Sequence, residues 1–330
     1  MKKIFALLLS AALLVTLLAA CGGGTTTDTD TDTQEPATDA STTQVEEQEP
    51  DTGDASKDDP LNQDEIGEKE LLVVSFGTSY NDSRRETIGA IEKAMQTAFP
   101  DYSVRRAFTS QIIIDHVKDR DGVTIDNVEQ ALERAVNNGV KTLVVQPTHL
   151  MNGLEYEELT DELAKYSDSF EKIAIGDPLL TSDADFEAVM TAITDATKDA
   201  ADGKTAICFM GHGTTDDSNS VYSKMQTLLT DKGFNDYYVG TVEATPSLDD
   251  VLAAVQKGNY EKVILRPLMI VAGDHANNDM AGDEDDSWKS TFEKAGYTVD
   301  CQVEGLGQLE AIQQLFVEHA KAAVASAEAE

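Results

Sequence analysis

The chain has 330 residues, of which 61 are acidic and 25 are basic, so its formal net charge at pH 7 is −36. This acidity excludes nucleic acid as a partner, because phosphate binding needs a cationic surface, and an anionic membrane surface would also repel the protein. The hydrophobic fraction of 41% is enough for a folded core, and three cysteines are too few for a disulfide scaffold.

The first 21 residues have the pattern of a secretory signal. Lys2 and Lys3 give a positive start, residues 4–18 are apolar, and small residues precede Cys21. The sequence LAAC resembles a bacterial lipobox, in which the cysteine is lipidated and becomes the first residue of the mature protein; an ordinary signal peptide is the alternative. We therefore predict an exported protein, at the outer face of the cytoplasmic membrane or in the periplasm, that contacts the membrane only through its lipid.

Residues 22–68 are predicted to be a disordered acidic spacer between the lipid anchor and the folded part of the chain. The segment consists mainly of Gly, Thr, Asp, Glu, Gln and Pro, and large apolar side chains are almost absent. Such a composition cannot bury enough apolar surface to offset the entropy lost on ordering. We assign this spacer no secondary structure and no chemical role.

From residue 69 onward, short apolar runs alternate with amphipathic helical stretches. Near-continuous apolar strands that alternate with helices indicate an α/β fold with parallel sheets. Eight strands are predicted at 71–76, 102–107, 142–146, 172–175, 206–210, 238–242, 262–266 and 297–303. Helices are predicted at 83–98, 125–137, 186–200, 220–232, 248–257 and 309–325.

The second half of this region repeats the pattern of the first. LLVVSFGTS at the first strand matches AICFMGHGTT at the fifth, and a second pair of motifs aligns Pro147 with Pro267. We predict two similar α/β domains, 69–203 and 204–330, each a four-stranded parallel sheet flanked by helices. Ligands of such sheets bind outside the carboxyl ends of the strands, so we expect one cleft between the two halves.

Three side chains with metal-binding potential lie at strand ends in the second half. His212 stands between two glycines after the fifth strand, Glu243 ends the sixth, and His275 follows the seventh. Two imidazoles and a carboxylate suit a divalent first-row metal ion. Asp274 is predicted to orient the His275 ring through its other nitrogen. The alternatives are a hydrogen-bonded turn histidine, a helix-start carboxylate and a solvated loop histidine, respectively.

The first half offers a smaller set of polar candidates. His149 lies in the sequence QPTHLMNGLEY after the third strand, where the second half has Met269, and Glu155 ends the same motif. A role in the cleft and a structural role are both open for His149. His116 and His319 are predicted to be structural or surface residues.

The remaining motifs add little chemistry. Cys208 and Cys301 lie within apolar strands and are predicted to be buried thiols, not ligands. The chain contains no Walker A loop, no GxGxxG before a helix, no CxxC and no GxSxG motif. No organic cofactor is therefore expected.

Taken together, these motifs resemble the anaerobic sirohydrochlorin cobaltochelatases of the class II chelatase superfamily. The resemblance covers about residues 68–326 and rests on LLVVSFGTSYNDSRRETI, QPTHLMNGLEY, MGHGT, VEATPSLDDV and RPLMIVAGDHANNDMAGDEDDSWK in this order. The family implies two four-stranded parallel α/β domains around a tetrapyrrole cleft. It also implies that His212 and His275 bind the metal together with Glu243, and that His149 and Glu155 belong to the cleft.

The resemblance further implies the insertion of a divalent metal into a tetrapyrrole of the sirohydrochlorin or precorrin-2 type, as in anaerobic cobalamin biosynthesis. The expected metal is Co²⁺, with Fe²⁺ and Ni²⁺ as alternatives, and one of its protein ligands is expected to accept the pyrrole protons. Arg84, Arg85 and Arg266 could pair with substrate carboxylates, although for each of them the favoured explanation is pairing with an acidic residue at the protein surface.

Many relatives of this type are cytoplasmic, so the signal segment is a departure from the family pattern. The alternative function is a membrane-tethered protein that binds haem, another tetrapyrrole or a metal ion and delivers it to a transporter. Such a protein would use the same cleft residues with little or no turnover.

Overall fold

A computed structural model of the chain describes residues 52–329. The predicted signal segment at 1–21, with Cys21, and the first part of the predicted spacer lie outside the described residues. Within residues 52–329, no helix is both long and apolar enough to cross a membrane. The described residues belong to one compact unit.

Eight strands form two parallel sheets of four strands each, which confirms the predicted fold class. In chain order the strands are β1 (Lys69–Ser75), β2 (Ser103–Phe108), β3 (Thr142–Pro147), β4 (Lys172–Ile175), β5 (Thr205–Gly211), β6 (Tyr237–Thr241), β7 (Lys262–Pro267) and β8 (Thr298–Cys301). The strand order is β2-β1-β3-β4 in the first sheet and β6-β5-β7-β8 in the second. Each predicted strand is present, with both ends within about two residues of the prediction.

The register of the strands confirms the internal repeat. Pro147 lies opposite Val74 in the first sheet, and Pro267 lies opposite Met210 in the second. The two prolines that the motifs aligned therefore occupy equivalent positions. The loops that follow β1 and β3 in the first sheet therefore start at positions equivalent to those of the loops that follow β5 and β7 in the second.

Ten α-helices among the described residues cover the sheets. They are α1 (Asn81–Glu86), α2 (Ile88–Ala98), α3 (Gln111–Asp121), α4 (Val128–Asn137), α5 (Leu154–Ala164), α6 (Asp183–Thr197), α7 (Ser220–Asp231), α8 (Leu248–Val255), α9 (Trp288–Lys294) and α10 (Glu310–Ala329). The predicted helix at 83–98 is two helices that meet at Thr87, whose hydroxyl donates to the Ser83 carbonyl oxygen. Helices α3, α5 and α9 are additional to the prediction.

Two helices cross between the halves, which the division at 203/204 did not predict. Helix α10 follows the second sheet but packs against β3, β4 and α2 of the first half. Helix α6 follows the first sheet but packs against α7, and Thr197 at its end hydrogen-bonds the hydroxyl of Tyr237 in β6 over 2.9 Å. His319 on α10 contacts Asp185 on α6 at 3.1 Å, in agreement with its predicted packing role.

One hydrophobic core lies between the two halves. It contains Leu71 and Val73 of the first sheet, Ile207 and Phe209 of the second, and apolar side chains of α2, α6, α7 and α10. A sheet must bury its apolar face against another layer, and here both sheets bury one face in the same core. The two halves are therefore one folding unit with two similar sheets.

The final part of the predicted spacer is ordered, so the prediction that 22–68 has no structure is wrong for residues 52–68. Residues Ala55–Lys57 form a 3₁₀ turn, and Leu61 is buried in the shared core. Asp58 forms ion pairs with the buried side chains of Arg84 and Arg106. A few anchoring side chains are enough to order this segment. Because they are so few, the average composition of residues 22–68 still resembles that of a disordered segment, and the prediction rested on that average.

Candidate metal centre and cleft

Loops at the carboxyl ends of both sheets border one cavity of about 530 Å³. Parallel strands present their carboxyl-terminal loops at a single edge, so loops from different strands meet there. The residues predicted for the site all line this cavity: His149, Glu155, His212, Glu243 and His275. The expected cleft is therefore present, and the fold brings its predicted residues together.

The turn after β5 presents His212 to the cavity. A Cβ atom on Gly211 would lie 2.1 Å from the Tyr222 ring, and Gly213 has a φ of +87°, so both neighbours of His212 need to be glycine. The Nδ1 atom of His212 lies 2.7 Å from the Gly213 carbonyl oxygen. Because a carbonyl oxygen only accepts, Nδ1 carries the proton and Nε2 keeps a lone pair for a metal.

His212, Glu243 and His275 form a group with the composition of a metal site. Their potential ligand atoms all lie within 4.8 Å of one another, and the two imidazole centroids are 4.7 Å apart. The Glu243 backbone N–H donates to the His212 carbonyl oxygen over 2.9 Å, which holds these two residues side by side. Three protein ligands leave coordination positions open, as catalytic metal sites require.

Asp279, not Asp274, holds the ring of His275. His275 precedes a π-helical turn at Ala276–Met280, and its Nδ1 hydrogen-bonds Oδ2 of Asp279 over 2.8 Å. The Asp274 carboxylate instead accepts a bond from Asn278. Residues four apart face each other on a helical turn, and the sequence pattern predicts no helix here, so the contact with Asp279 was missed.

The facing wall of the cavity carries His149 and Glu155. His149 is 7% exposed, and neither ring nitrogen has a hydrogen-bond partner among residues 52–329. Burial lowers the pKa of His149 to about 4, so its ring is neutral at pH 7. Glu155 Oε2 approaches His149 Nε2 to 3.4 Å without hydrogen-bond geometry. Partial burial raises the pKa of the Glu155 carboxyl group, whose side chain is 48% exposed, and nearby His212 opposes the rise.

Apolar side chains form most of the remaining cavity wall. Six of these residues are Phe76, Ile113, Met151, Leu154, Tyr156 and Ile270. Of these, Phe76 is 47% exposed and Leu154 is 56% exposed. No lysine or arginine among the described residues lines the cavity. Such walls suit the flat apolar faces of a large ring system. This apolar lining was not predicted from the sequence, although the aligned motifs place Phe76 at the position equivalent to His212.

The three arginines named as possible partners of substrate carboxylates bind acidic residues of the protein. Arg84 pairs with Asp58, Arg85 pairs with Asp82 and Glu86, and Arg266 pairs with Glu304. None of the three arginines lines the cavity. The simpler of the two explanations considered for them is therefore confirmed.

Cys208, Cys301 and His116 lie outside the cavity lining. Cys208 is a buried free thiol in β5, and burial raises the pKa of this thiol well above its usual value. Cys301 is half-buried, and burial raises its pKa to about 11. Neither thiol lines the cavity, and His116 lies exposed on α3.

Comparison with known proteins gives family matches over nearly all of the described region. Residues 69–325 match the family described as cobalt chelatase (CbiK). A sirohydrochlorin cobaltochelatase from Salmonella typhimurium is 38% identical over 251 residues, which are 76% of this chain and 94% of that protein. Sirohydrochlorin cobaltochelatase CbiKC from Nitratidesulfovibrio vulgaris is 30% identical over 260 residues, 78% of this chain and 91% of that protein.

Solved structures show the same architecture at low sequence identity. SirB from Bacillus subtilis, solved with Fe³⁺, has a TM-score of 0.57 and 14% identity, and the match covers 80% of this chain and 98% of that one. The sirohydrochlorin chelatase SirB from Bacillus subtilis subspecies spizizenii, in complex with cobalt, has a TM-score of 0.55, also at 14% identity, with the same coverage. These matches confirm the chelatase-like fold with two sheets.

Proposed function

The chain belongs to the cobalt chelatase (CbiK) family, and from this premise we propose that it inserts Co²⁺ into sirohydrochlorin in the cleft between its two sheets. It is a metal chelatase, and the metal ion is a substrate. One observation carries the proposal: the candidate ligand atoms of His212, Glu243 and His275 lie within 4.8 Å of one another in the wall of the cavity of about 530 Å³.

The reaction exchanges two pyrrole N–H protons for one divalent metal ion. The metal must be held by few protein ligands, so that each can be replaced in turn by a pyrrole nitrogen. Two imidazoles and one carboxylate leave coordination positions open for this exchange. The hydrogen bonds from Nδ1 of His212 to Gly213 and from Nδ1 of His275 to Asp279 direct Nε2 of each ring toward the metal.

The facing wall provides the proton acceptor. The macrocycle lies between the walls, with the metal ligands at one face and His149 and Glu155 at the other. A histidine that binds the metal has its lone pair engaged, so a group on the opposite face is better placed to take a pyrrole proton. Glu155 has this role, because its raised pKa brings it nearer to neutral pH, where a general base is most effective. The neutral His149 ring accepts or donates one hydrogen bond beside it.

Co²⁺ is the metal of this proposal because the family and both relatives are named for cobalt. The ligand set alone would also accept Fe²⁺ or Ni²⁺, since imidazole and carboxylate suit all three ions. A precorrin-2 type ring is the alternative macrocycle. Competition between the three metals in one insertion assay measures this preference directly.

An insertion assay tests the proposed activity. The full chain in detergent is mixed with sirohydrochlorin and Co²⁺, and the visible spectrum follows metal insertion. We expect insertion well above the uncatalysed rate, and a fall to that rate in His212→Ala/His275→Ala. His116→Ala, which alters an exposed histidine on α3, is the matched control and should behave as wild type. Unchanged insertion in the double variant would reject the proposal.

Export and lipid anchoring at Cys21 form the second part of the proposal. The support is the sequence itself, with two lysines, an apolar run and LAAC. The mature protein should partition into the detergent phase of Triton X-114, and Cys21→Ser should move it into the aqueous phase. A wild-type protein found in the aqueous phase with an unmodified cysteine would contradict this localisation.

A second candidate function follows from the same N-terminal sequence. An anchored protein outside the cytoplasmic membrane could capture haem, another tetrapyrrole or a metal ion in this cleft and pass it to a transporter. Haem titration beside the insertion assay separates the two functions. Tight haem binding without turnover of sirohydrochlorin would favour capture, whereas turnover favours the chelatase.

A further inference from the structure

The segment Thr52–Leu61, which we call the strap, is built into the first half of the protein. The Thr52 carbonyl oxygen accepts the backbone N–H of Asp82 over 2.9 Å, in the first turn of α1. The Gly53 carbonyl oxygen accepts a bond from the Asn81 side chain over 3.1 Å. The first N–H groups of a helix have no partner within the helix, so the strap supplies one from outside.

Asp58 of the strap lies between two buried arginines. Its Oδ2 is 2.6 Å from Nε of Arg84 and 2.6 Å from Nη1 of Arg106, and the three side chains are at most 4% exposed. Burial opposes ionisation of Asp58, but hydrogen bonds from both arginines hold its pKa below the usual value. Removing this carboxylate would leave buried guanidinium charge without its partner, so the position of Arg84 depends on the strap.

Helix α1 in turn contacts the loop that carries His275. The Ala272 backbone N–H donates to Oγ of Ser83 over 2.9 Å, and Ala272 is buried. A Cβ atom on Gly273 would lie 3.1 Å from Oγ1 of Thr78, so the chain also passes close to the loop before α1. Nη1 of Arg84 donates to the Thr78 carbonyl oxygen over 3.1 Å. These contacts join the first half to the loop that bears a metal ligand of the second.

We propose that Ser83 is a positioning residue for the His275 loop, and that the strap holds Ser83 in place through Asp58 and Arg84. The proposal rests on the proposed function only in taking His275 as a metal ligand. Ser83 does not line the cavity. It fixes the backbone at Ala272, and thereby sets where the imidazole of His275 stands relative to His212 and Glu243.

Amide hydrogen exchange at Ala272 in the metal-free full chain tests this role directly. In wild type the Ala272 amide should be protected, and Ser83→Ala should speed its exchange by about tenfold or more. Co²⁺ affinity, measured by calorimetry, should fall by about three- to tenfold. Ser223→Ala, an exposed serine on α7, is the control and should change neither quantity. Unchanged exchange and unchanged affinity in Ser83→Ala would overturn the proposal.

Asp58→Asn tests the strap at nearly constant side-chain volume. We expect faster exchange at both Asp82 and Ala272, together with weaker Co²⁺ binding. A variant that only melts at a lower temperature, with wild-type exchange at Ala272 and wild-type Co²⁺ affinity, would overturn the part of the proposal that concerns the strap. If Asp58→Asn does not fold, the Ser83→Ala measurements still decide the role of Ser83.

His275→Ala separates this proposal from the proposed function. It should abolish tight Co²⁺ binding and leave the Ala272 amide protected. Tight Co²⁺ binding by His275→Ala would reject the metal site, whereas exchange at Ala272 would still report on Ser83. The two proposals can therefore fail independently.

Discussion

The two halves of the protein share their backbone at the strand ends and differ in the side chains placed there. In the first half, the Ser110 N–H donates to the Phe76 carbonyl oxygen over 3.3 Å. In the second, the Glu243 N–H donates to the His212 carbonyl oxygen over 2.9 Å. Phe76 therefore occupies the position of His212. The same turn presents an apolar ring from one half and an imidazole of the candidate metal site from the other.

The loop after the third strand of each half shows the opposite difference. The His149 carbonyl oxygen accepts the N–H of Leu179 over 2.9 Å, and the Met269 carbonyl oxygen accepts that of Leu306 over 2.8 Å. Here the first half has the imidazole and the second half the apolar residue.

The exchange of residue types makes the cleft asymmetric. Counting on from the aligned prolines Pro147 and Pro267, Glu155 occupies the position of His275. The two similar sheets therefore provide matched positions, and under the proposed function the residues there would let one wall bind the metal and the other accept protons.

The largest expected effect comes from making the second half resemble the first. His212→Phe places the residue of the first half at the equivalent position and removes one of three ligands. We expect Co²⁺ affinity, measured by calorimetry, to fall by at least about 100-fold, more than the loss typical of groups that only orient ligands. Phe76→Ala is the control in the other half: its Co²⁺ affinity should stay within about twofold of wild type, while the KM for the macrocycle rises because apolar contact is lost. Equal losses of Co²⁺ affinity in both variants would remove the distinction between the two walls.

The fold and the proximity of the three candidate metal ligands could be predicted from the sequence because both follow general rules. Apolar strands alternating with helices define parallel sheets, and parallel sheets bring their strand ends to one edge. His212, Glu243 and His275 could therefore be grouped although they are distant along the chain. The partner of His275 could not be assigned this way, because Asp274 and Asp279 are both close in sequence and only the π-helical turn favours Asp279.

The strap, and the packing of α6 and α10 against the opposite half, could not be predicted for a different reason. Composition describes a whole segment, and Asp58 and Leu61 stand in a polar stretch whose average favours disorder. Helices α6 and α10 each have an apolar face that could pack against either half of the protein. Their sequences therefore do not indicate which half they contact. Contacts that depend on a few long-range partners need the three-dimensional structure.

A smaller effect is expected from Asp279, the carboxylate that holds the ring of His275. Asp279→Asn removes the negative charge that keeps the imidazole oriented, and we expect Co²⁺ affinity to fall by about tenfold. Asp274→Asn is the matched control, because it changes a carboxylate next to His275 that does not contact the ring. A larger loss in Asp274→Asn than in Asp279→Asn would reassign the orienting group to the residue that sequence alone suggested.

The smallest expected effect concerns stability and the imidazole of the other wall. The folded protein holds His149 neutral with a pKa of about 4, whereas an unfolded histidine has a pKa of 6.5. The unfolded state therefore binds more protons between these values, so stability falls as pH drops through this range. His149→Met, which introduces the residue found at the equivalent position of the second half, should remove this contribution to the pH dependence of stability. From pH 7.5 to 5.5, the free energy of unfolding in urea should fall by about 1 kcal/mol less in the variant than in wild type.

The comparison of pH 7.5 with pH 5.5 isolates the titration of His149 from other effects of the substitution. A packing change at this site would shift stability by the same amount at both pH values, whereas the loss of a titrating group changes only the slope. Met269→Leu, which alters the equivalent position of the second half without adding or removing a titratable group, should keep the wild-type slope. If His149→Met also keeps that slope, His149 takes up its proton equally in the folded and unfolded states. The first-half wall would then present a solvated imidazole, and proton acceptance there would no longer be assigned to Glu155 alone.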